Sequence, residues 1–140
     1  MEGAEPMTPF PLTIISPDGP EFEGNVEQLI VRTTSGDLGI MAGHANCVAP
    51  LGMGRATVMI DGKKRHGACI GGLLSMADGK ATIVATTFEW AEDIDPERVE
   101  SSYQRAQQIL DNKDSSSTEI ALAQARLRRA LVRKSVAGHK

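Results

Sequence analysis

From residue 10 to residue 88, apolar and polar positions alternate in short runs rich in Val, Ile and Thr. Turn dipeptides separate the runs at close intervals, the pattern of an all-β sandwich or barrel. Leu12-Thr13-Ile14-Ile15 leads into Asp18-Gly19, and residues 26–34 predict one long strand. Residues 55–60 lead into Asp61-Gly62, and the stretch after that turn reaches residue 70. Residues 73–76 lead into Asp78-Gly79, and residues 81–88 close the set. Each Asp-Gly pair sits where a hairpin needs positive φ, which glycine and aspartate tolerate best.

At Trp90 the period changes from two to 3.6. Asp95-Pro96 predicts a helix start: an oxygen-bearing N-cap, then a proline at the first helical position, where its missing N–H costs nothing. Val99, Tyr103, Ala106 and Leu110 recur at i, i+4, i+7 and i+11, so this helix is expected to end near Asp111. Residues 111–117 form a polar connector, and Thr118 is expected to cap a second helix running to about Val136. On that helix Ile120, Ala123, Leu127, Ala130 and Leu131 share one face, while Arg126, Arg129 and Arg133 line a neighbouring one. So short a connector pairs the helices antiparallel. The predicted fold is mainly β plus α, divided into a β domain over 1–90 and a helical hairpin over 91–140.

Composition narrows the functional classes. The chain has 140 residues, 18 acidic against 15 basic, with a formal charge of -3. That length suits one domain, or a small domain with an appendage. No apolar stretch approaches the roughly 20 residues of a membrane span, and the acidic opening Met1-Glu2-Gly3-Ala4-Glu5-Pro6 lacks the basic-then-apolar order of a secretory signal. Retention in the cytosol is therefore expected. Cys47 and Cys69 match no disulfide framework or zinc spacing and read as buried or half-buried thiols. His44, His66 and His139 are isolated, so no metal site is expected. No nucleophile elbow is present, and Gly71-Gly72 lacks the surroundings of a phosphate loop, so no catalytic residue is assigned. One Trp, one Tyr and three Phe give little platform for stacking single-stranded nucleic acid.

Charge is unevenly distributed. Residues 120–140 carry Arg126, Arg128, Arg129, Arg133, Lys134 and Lys140 with no acid, while the preceding residues hold the other nine basic side chains and all 18 acidic ones. Antiparallel pairing brings Arg98 and Arg105, seven residues apart, towards Arg129 and Arg133. Four guanidinium groups in one place repel one another unless an anion or several carboxylates lie between them. A phosphate-bearing ligand is one solution. Salt bridges to Glu97, Glu100 or Glu119 are the other, and spacing alone ranks them slightly ahead. Asp95 serves as an N-cap on either reading, and Glu89 alone reads as a surface charge.

Several segments, in order, resemble the epsilon subunit of F-type ATP synthases: Ser16-Pro17-Asp18-Gly19, Phe22-Glu23-Gly24-Asn25-Val26, Ser35-Gly36-Asp37-Leu38-Gly39-Ile40 with Gly43-His44, Gly71-Gly72-Leu73-Leu74, and Ala91-Glu92-Asp93-Ile94-Asp95. The resemblance covers all but about the first nine residues. It implies a β-sandwich followed by a helical hairpin, peripheral on the cytoplasmic face of a bacterial membrane and attached to that membrane only through its complex. The implied partners are the gamma subunit, the c-subunit ring, and the alpha and beta subunits, with no nucleic acid. Asp37 matches the acidic position facing the c ring, and His44 lies in the neighbouring loop near gamma. Ala42 and Asn46 stand where relatives often carry prolines.

Some bacterial relatives bind ATP in the folded hairpin through a motif resembling Ile/Leu-Asp-x-x-Arg-Ala. Ile94-Asp95-Pro96-Glu97-Arg98 fits it, with Val99 in place of the alanine. Glu89, Arg105, Arg129 and Arg133 correspond to the remaining positions. The resemblance thus implies an ATP site made of Glu89, Ile94, Asp95, Arg98, Arg105, Arg129 and Arg133, with ATP a regulatory ligand, with or without magnesium, and no required cofactor. It ranks the ligand reading above salt bridges. Two rivals remain: a purely structural rotor adaptor with a static hairpin, and a free-standing nucleic-acid module using the basic tail.

Overall fold

In the computed structural model residues 7–138 are described. The readings of the first six residues as non-secretory, of His139 as isolated and of Lys140 as part of the basic tail lie outside that range. Seven strands, β1 (Phe10–Ser16), β2 (Gly19–Val26), β3 (Gln28–Thr33), β4 (Gly36–Ile40), β5 (Cys47–Ile60), β6 (Lys63–Ala77) and β7 (Lys80–Trp90), are followed by a 3₁₀ turn (Ala91–Asp93) and two helices, α1 (Pro96–Asp111) and α2 (Ser117–Ala137). The strands hydrogen-bond in the order β2-β1-β7-β6-β5-β3-β4, and β1 pairs with β7 in parallel. Residues from both ends of that order, Val26 of β2 and Ile40 of β4, share one core with Leu12, Leu29, Val58, Leu74 and Ile83. The sheet therefore closes on itself as a sandwich, the long strands β5, β6 and β7 serving both layers.

Two of the three Asp-Gly pairs take positive φ at both residues; at Asp18-Gly19 only Gly19 does, at 117°, because the turn there is Pro17-Asp18 and Gly19 already pairs with Ser16. Asp61 and Gly62 take φ of 51° and 77°, and Asp78 and Gly79 take 52° and 80°, the double positive φ that matches strand twist in a tight hairpin. The strand predicted over 26–34 is in fact broken at Glu27. Val26 pairs with Phe10 of β1, whereas Gln28 pairs with Met59 of β5. The apolar pattern runs on because both flanks face the same core, and a change of partner leaves no mark in periodicity. β4 was hidden by its two glycines, and β5 begins at Cys47, well before residue 55.

Residues 63–70 and 73–76, separate in pattern, belong to the single strand β6. It passes through Gly71 and Gly72, at φ of 73° and 120°, in unbroken register: Ile70 pairs with Thr87, and Gly72 with Ala85. At this row the inward-facing set changes parity. In β7, Ala81, Ile83 and Ala85 are buried, then Phe88 and Trp90. Phe88 and Trp90 meet edge-to-face at 4.9 Å inside the core, and Trp90 Nε1 donates to the Glu21 carbonyl at 3.1 Å. Glu89, between them, is left on the opposite face.

That face is covered by the hairpin. Ala68 of β6 joins Ala91, Ile94, Val99, Ala130 and Val136 in a second apolar cluster, so α2 lies on the sheet and α1 lies on α2. The helices are antiparallel: Lys134, near the end of α2, reaches Glu100 at 3.1 Å and sits 5.1 Å from the Tyr103 ring centre, near the start of α1. Asp95 caps α1 as expected. The cap of α2 is Ser116 rather than Thr118: its hydroxyl accepts from Glu119 N at 3.1 Å, and Glu119 Oε1 accepts from Ser116 N at 2.9 Å. A capping box satisfies two orphan amides at once, which Thr118, inside the first turn, has no way to match. Leu131, placed on the apolar face by periodicity, is 46% exposed. Cys69 is buried and Cys47 half-buried.

Candidate functional site

Two of the cavities along the hairpin adjoin each other. One, of about 450 Å³, is lined by Ser102, Arg105, Ala106 and Ile109 of α1 and by Arg126, Arg129, Ala130 and Arg133 of α2. The other, of about 400 Å³, is lined by Asp18 of the β1–β2 turn, Thr87 to Glu89 of β7, Asp93, and Asp95, Arg98, Val99 and Ser102 around the start of α1, with Arg133. Ser102 and Arg133 belong to both, so the two form one cleft. Each volume falls within the roughly 300–1,000 Å³ of small-molecule sites.

Local sequence explains each position. Glu89 points out of the core because its neighbours Phe88 and Trp90 point in. Its Oε1 lies 3.4 Å from Arg133 Nε. Asp95 Oδ1 accepts from Glu97 N at 3.0 Å and Arg98 N at 3.4 Å, so the cap fixes the first turn from which Arg98 projects. Arg105 Nη2 donates to Ser102 Oγ at 3.4 Å, one turn away on the same helix. Arg126, Arg129 and Arg133 follow one another on one face of α2. Ile94 is 2% exposed and seals the cluster beneath, lining neither cavity.

The salt bridges that competed for these arginines form elsewhere. Glu100 takes Lys134, and Glu119 serves the cap of α2. The Glu100 carboxyl is held below its usual range by hydrogen bonds from Gln104 and Lys134 and by the Lys134 charge, and Glu119 is held low by its bonds from Ser116. Burial works against the charge on Glu92, but a backbone hydrogen bond and Arg65 outweigh it and lower its pKa. Among the described residues only Arg133 of the expected four pairs with a carboxylate, leaving Arg98, Arg105 and Arg129 without one.

Asp37 and His44 line neither cavity of this cleft: Asp37 is the second residue of β4, and His44 follows the strand's other end. Asp37 lies 3.3 Å from Arg32 across the β3–β4 hairpin, and His44 Nδ1 is 2.8 Å from the Ala45 carbonyl. Several lining residues were not foreseen as part of the site, Asp18, Asp93, Ser102 and Arg126 among the polar ones. Arg126 was legible, sharing the periodicity of Arg129 and Arg133. Asp18 and Ser102 carry no local signal, and only the docking of the hairpin brings them in.

Two family models cover nearly the whole chain: the ATP synthase delta/epsilon chain beta-sandwich domain over residues 9–91, and the long alpha-helix domain of the same chain over residues 92–138. The chain belongs to the ATP synthase delta/epsilon family. It is 41% identical over 128 residues to the ATP synthase epsilon chain of Bacillus velezensis, spanning 91% of this chain and 96% of that one. It is 42% identical over 127 residues to that of Bacillus subtilis, spanning 91% and 96%, and 38% identical over 135 residues to that of Ruminococcus albus, spanning 96% and 100%. Its fold is similar to a chain of the mitochondrial ATP synthase of Euglena gracilis, with a TM-score of 0.80 at 21% identity over 100% of this chain and 91% of that chain. Family membership makes it an epsilon subunit, one part of a larger complex. Among the described residues no helix is long and apolar enough to cross a membrane.

Proposed function

We propose that this chain is a non-catalytic regulatory subunit of the central stalk of an F-type ATP synthase, and that the cleft in its hairpin binds ATP. The sandwich rests on the c-subunit ring at the edge that carries Asp37 and binds the gamma subunit near the loop of His44. It lies on the cytoplasmic face of the bacterial membrane, held there by the complex, whose c ring carries protons or sodium ions. The hairpin alternates between the folded-back form and an extended form that reaches the alpha and beta subunits and restrains ATP hydrolysis.

The observation that carries the nucleotide reading is the cleft itself, with Arg98, Arg105 and Arg129 lacking carboxylate partners among the described residues. A triphosphate removes the repulsion among them through charge-assisted hydrogen bonds. Glu89 and Asp95, at the other end, accept hydrogen bonds from an exocyclic amino group. The cavity between α1 and α2 is lined by no carboxylate, so the protein would offer a magnesium ion no ligand there and only the phosphates would hold it. A ligand moves an equilibrium only by its differential affinity for the two forms. If ATP binds the folded-back form alone, free ATP at 100 times its Kd favours that form by about 2.7 kcal/mol. Falling ATP then releases the inhibitory arm.

Calorimetry of the full chain with ATP, repeated for Arg98→Ala and Arg129→Ala, tests this. Saturable heat in the natural chain, lost or much weakened in both variants, is expected. No heat up to millimolar ATP excludes the sensor and leaves a static rotor adaptor. Co-purification with a gamma subunit tests the place in the stalk.

A further inference from the structure

Away from the cleft between the helices, a further cavity of about 540 Å³ lies on the outer face of the sandwich, beside the end of α2. Strand alternation builds it. Ala56 and Val58 point into the core, so Arg55 and Thr57 of β5 point out. Thr57 pairs with His66 of β6 on one side and Ile30 of β3 on the other, which brings Lys64 and Arg32, each two residues away along those strands, to the same face. Arg65, between Lys64 and His66, turns the other way, lies 3.8 Å from the Trp90 ring centre and bridges to Glu92. Ser135 of α2 completes the wall.

Positive charge collects here against the trend of the sandwich. Residues 10–90 carry six basic and eight acidic side chains, yet three of the six, Arg32, Arg55 and Lys64, line this cavity with only Asp37 of the eight. Arg32 is held in place: its stem crosses the bare backbone of Gly54, where a Cβ would collide with it, and its Nη1 meets Asp37 Oδ1 at 3.3 Å. Among the described residues no carboxylate pairs with Arg55 or Lys64. Thr57 Oγ1 and His66 Nδ1, 3.0 Å apart, add polar groups between them.

We propose that this cavity binds inorganic phosphate. The two arginines and the lysine supply charge-assisted hydrogen bonds to its oxygens. Asp37 selects it: near neutral pH phosphate keeps a proton that a carboxylate oxygen accepts, whereas sulfate has none to offer and meets only repulsion there. Because Ser135 belongs to α2, the site is whole only while the hairpin lies on the sandwich, so bound phosphate favours that arrangement. Phosphate is a reactant of ATP synthesis, and its site is separate from the cleft between the helices.

Titration of the full chain with sodium phosphate and with sodium sulfate at constant ionic strength, followed through backbone amide NMR shifts, tests this for the natural protein, for Arg55→Gln combined with Lys64→Gln, and for Lys63→Gln. Lys63 is exposed and does not line the cavity, so its variant removes a neighbouring charge without touching the site. Saturable shifts at Thr57, His66 and Ser135 are expected with phosphate, with binding weakened by about tenfold or more in the double variant and unchanged in Lys63→Gln. Sulfate is expected to bind about tenfold more weakly than phosphate. Shifts that never saturate, shifts confined to the arginines of the hairpin cleft, equal binding of sulfate, or an equal loss in Lys63→Gln overturns the phosphate site, and none of these outcomes bears on the nucleotide reading of the cleft.

Discussion

Glu89 and Arg133 are 44 positions apart in sequence, yet Glu89 Oε1 lies 3.4 Å from Arg133 Nε, tying the last strand to the second helix. The side chains are 37% and 27% exposed, so water screens the pair. Its contribution to stability is small, about 1 kcal/mol or less. In chemical denaturation, a double-mutant cycle with Glu89→Gln and Arg133→Gln is expected to give a coupling of that size. A coupling of about 3 kcal/mol instead, the cost typical of breaking a buried pair, would mean that the pair holds the hairpin down by itself.

Gly72 packs its backbone against β7 just before the point where the buried set changes parity and Glu89 turns outward. At φ of 120°, a Cβ built there collides with the Val84 carbonyl oxygen and stands 2.8 Å from Ala85 Cα. Backbone cannot yield as a flexible side chain does. Gly72→Ala is expected to destabilise the sandwich by about 3 kcal/mol or more, strain and clash together. Thermal unfolding measures it, and an unchanged Tm contradicts the close packing of β6 on β7. Gly62→Ala, in the open at φ 77°, is expected to cost less.

Acid is expected to loosen the hairpin before it unfolds the sandwich. Glu100 and Glu119 have folded-state pKa values below the ordinary value, Glu100 through Gln104 and Lys134, and Glu119 through Ser116. Depressed carboxyl values contribute stability that is present above the unfolded pKa, roughly 4.3, and disappears as pH falls through the folded value. Helical circular dichroism is therefore expected to decline below about pH 4. Glu100→Gln together with Glu119→Gln flattens that decline, and a slope that survives both changes places its origin elsewhere.

The two thiols report on packing. Burial raises the Cys69 pKa to about 11, so almost none of it is thiolate near neutrality. Cys47 is half-buried at the start of β5. Iodoacetamide at pH 8, followed by mass spectrometry, is expected to modify Cys47 first and Cys69 only on unfolding. Modification of Cys69 at the rate of Cys47 contradicts a closed core.

Much of this was legible in the sequence, for physical reasons that differ between elements. Asp61-Gly62 and Asp78-Gly79 announce their hairpins because few other residues accept that backbone. Asp95-Pro96 announces α1 for the same kind of local reason. The break at Glu27 and the continuity of β6 were not visible, since periodicity reports which side of the chain is buried and says nothing of which strand lies alongside. Arg98, Arg105, Arg129 and Arg133 were foreseen to converge because antiparallel helices leave little choice. Asp18 was not, because its place in the cleft depends on where the hairpin lands on the sandwich.

The central claim is that ATP holds the hairpin in its folded-back form, and amide hydrogen exchange along α1 and α2 reads it directly. If ATP binds only that form, free ATP at 100 times its Kd slows exchange through hairpin opening by about 100-fold. The expected result is that protection rises by that factor in residues 96–137 and stays unchanged in β1 to β4. Exchange in the helices that is the same with and without saturating ATP would contradict the claim.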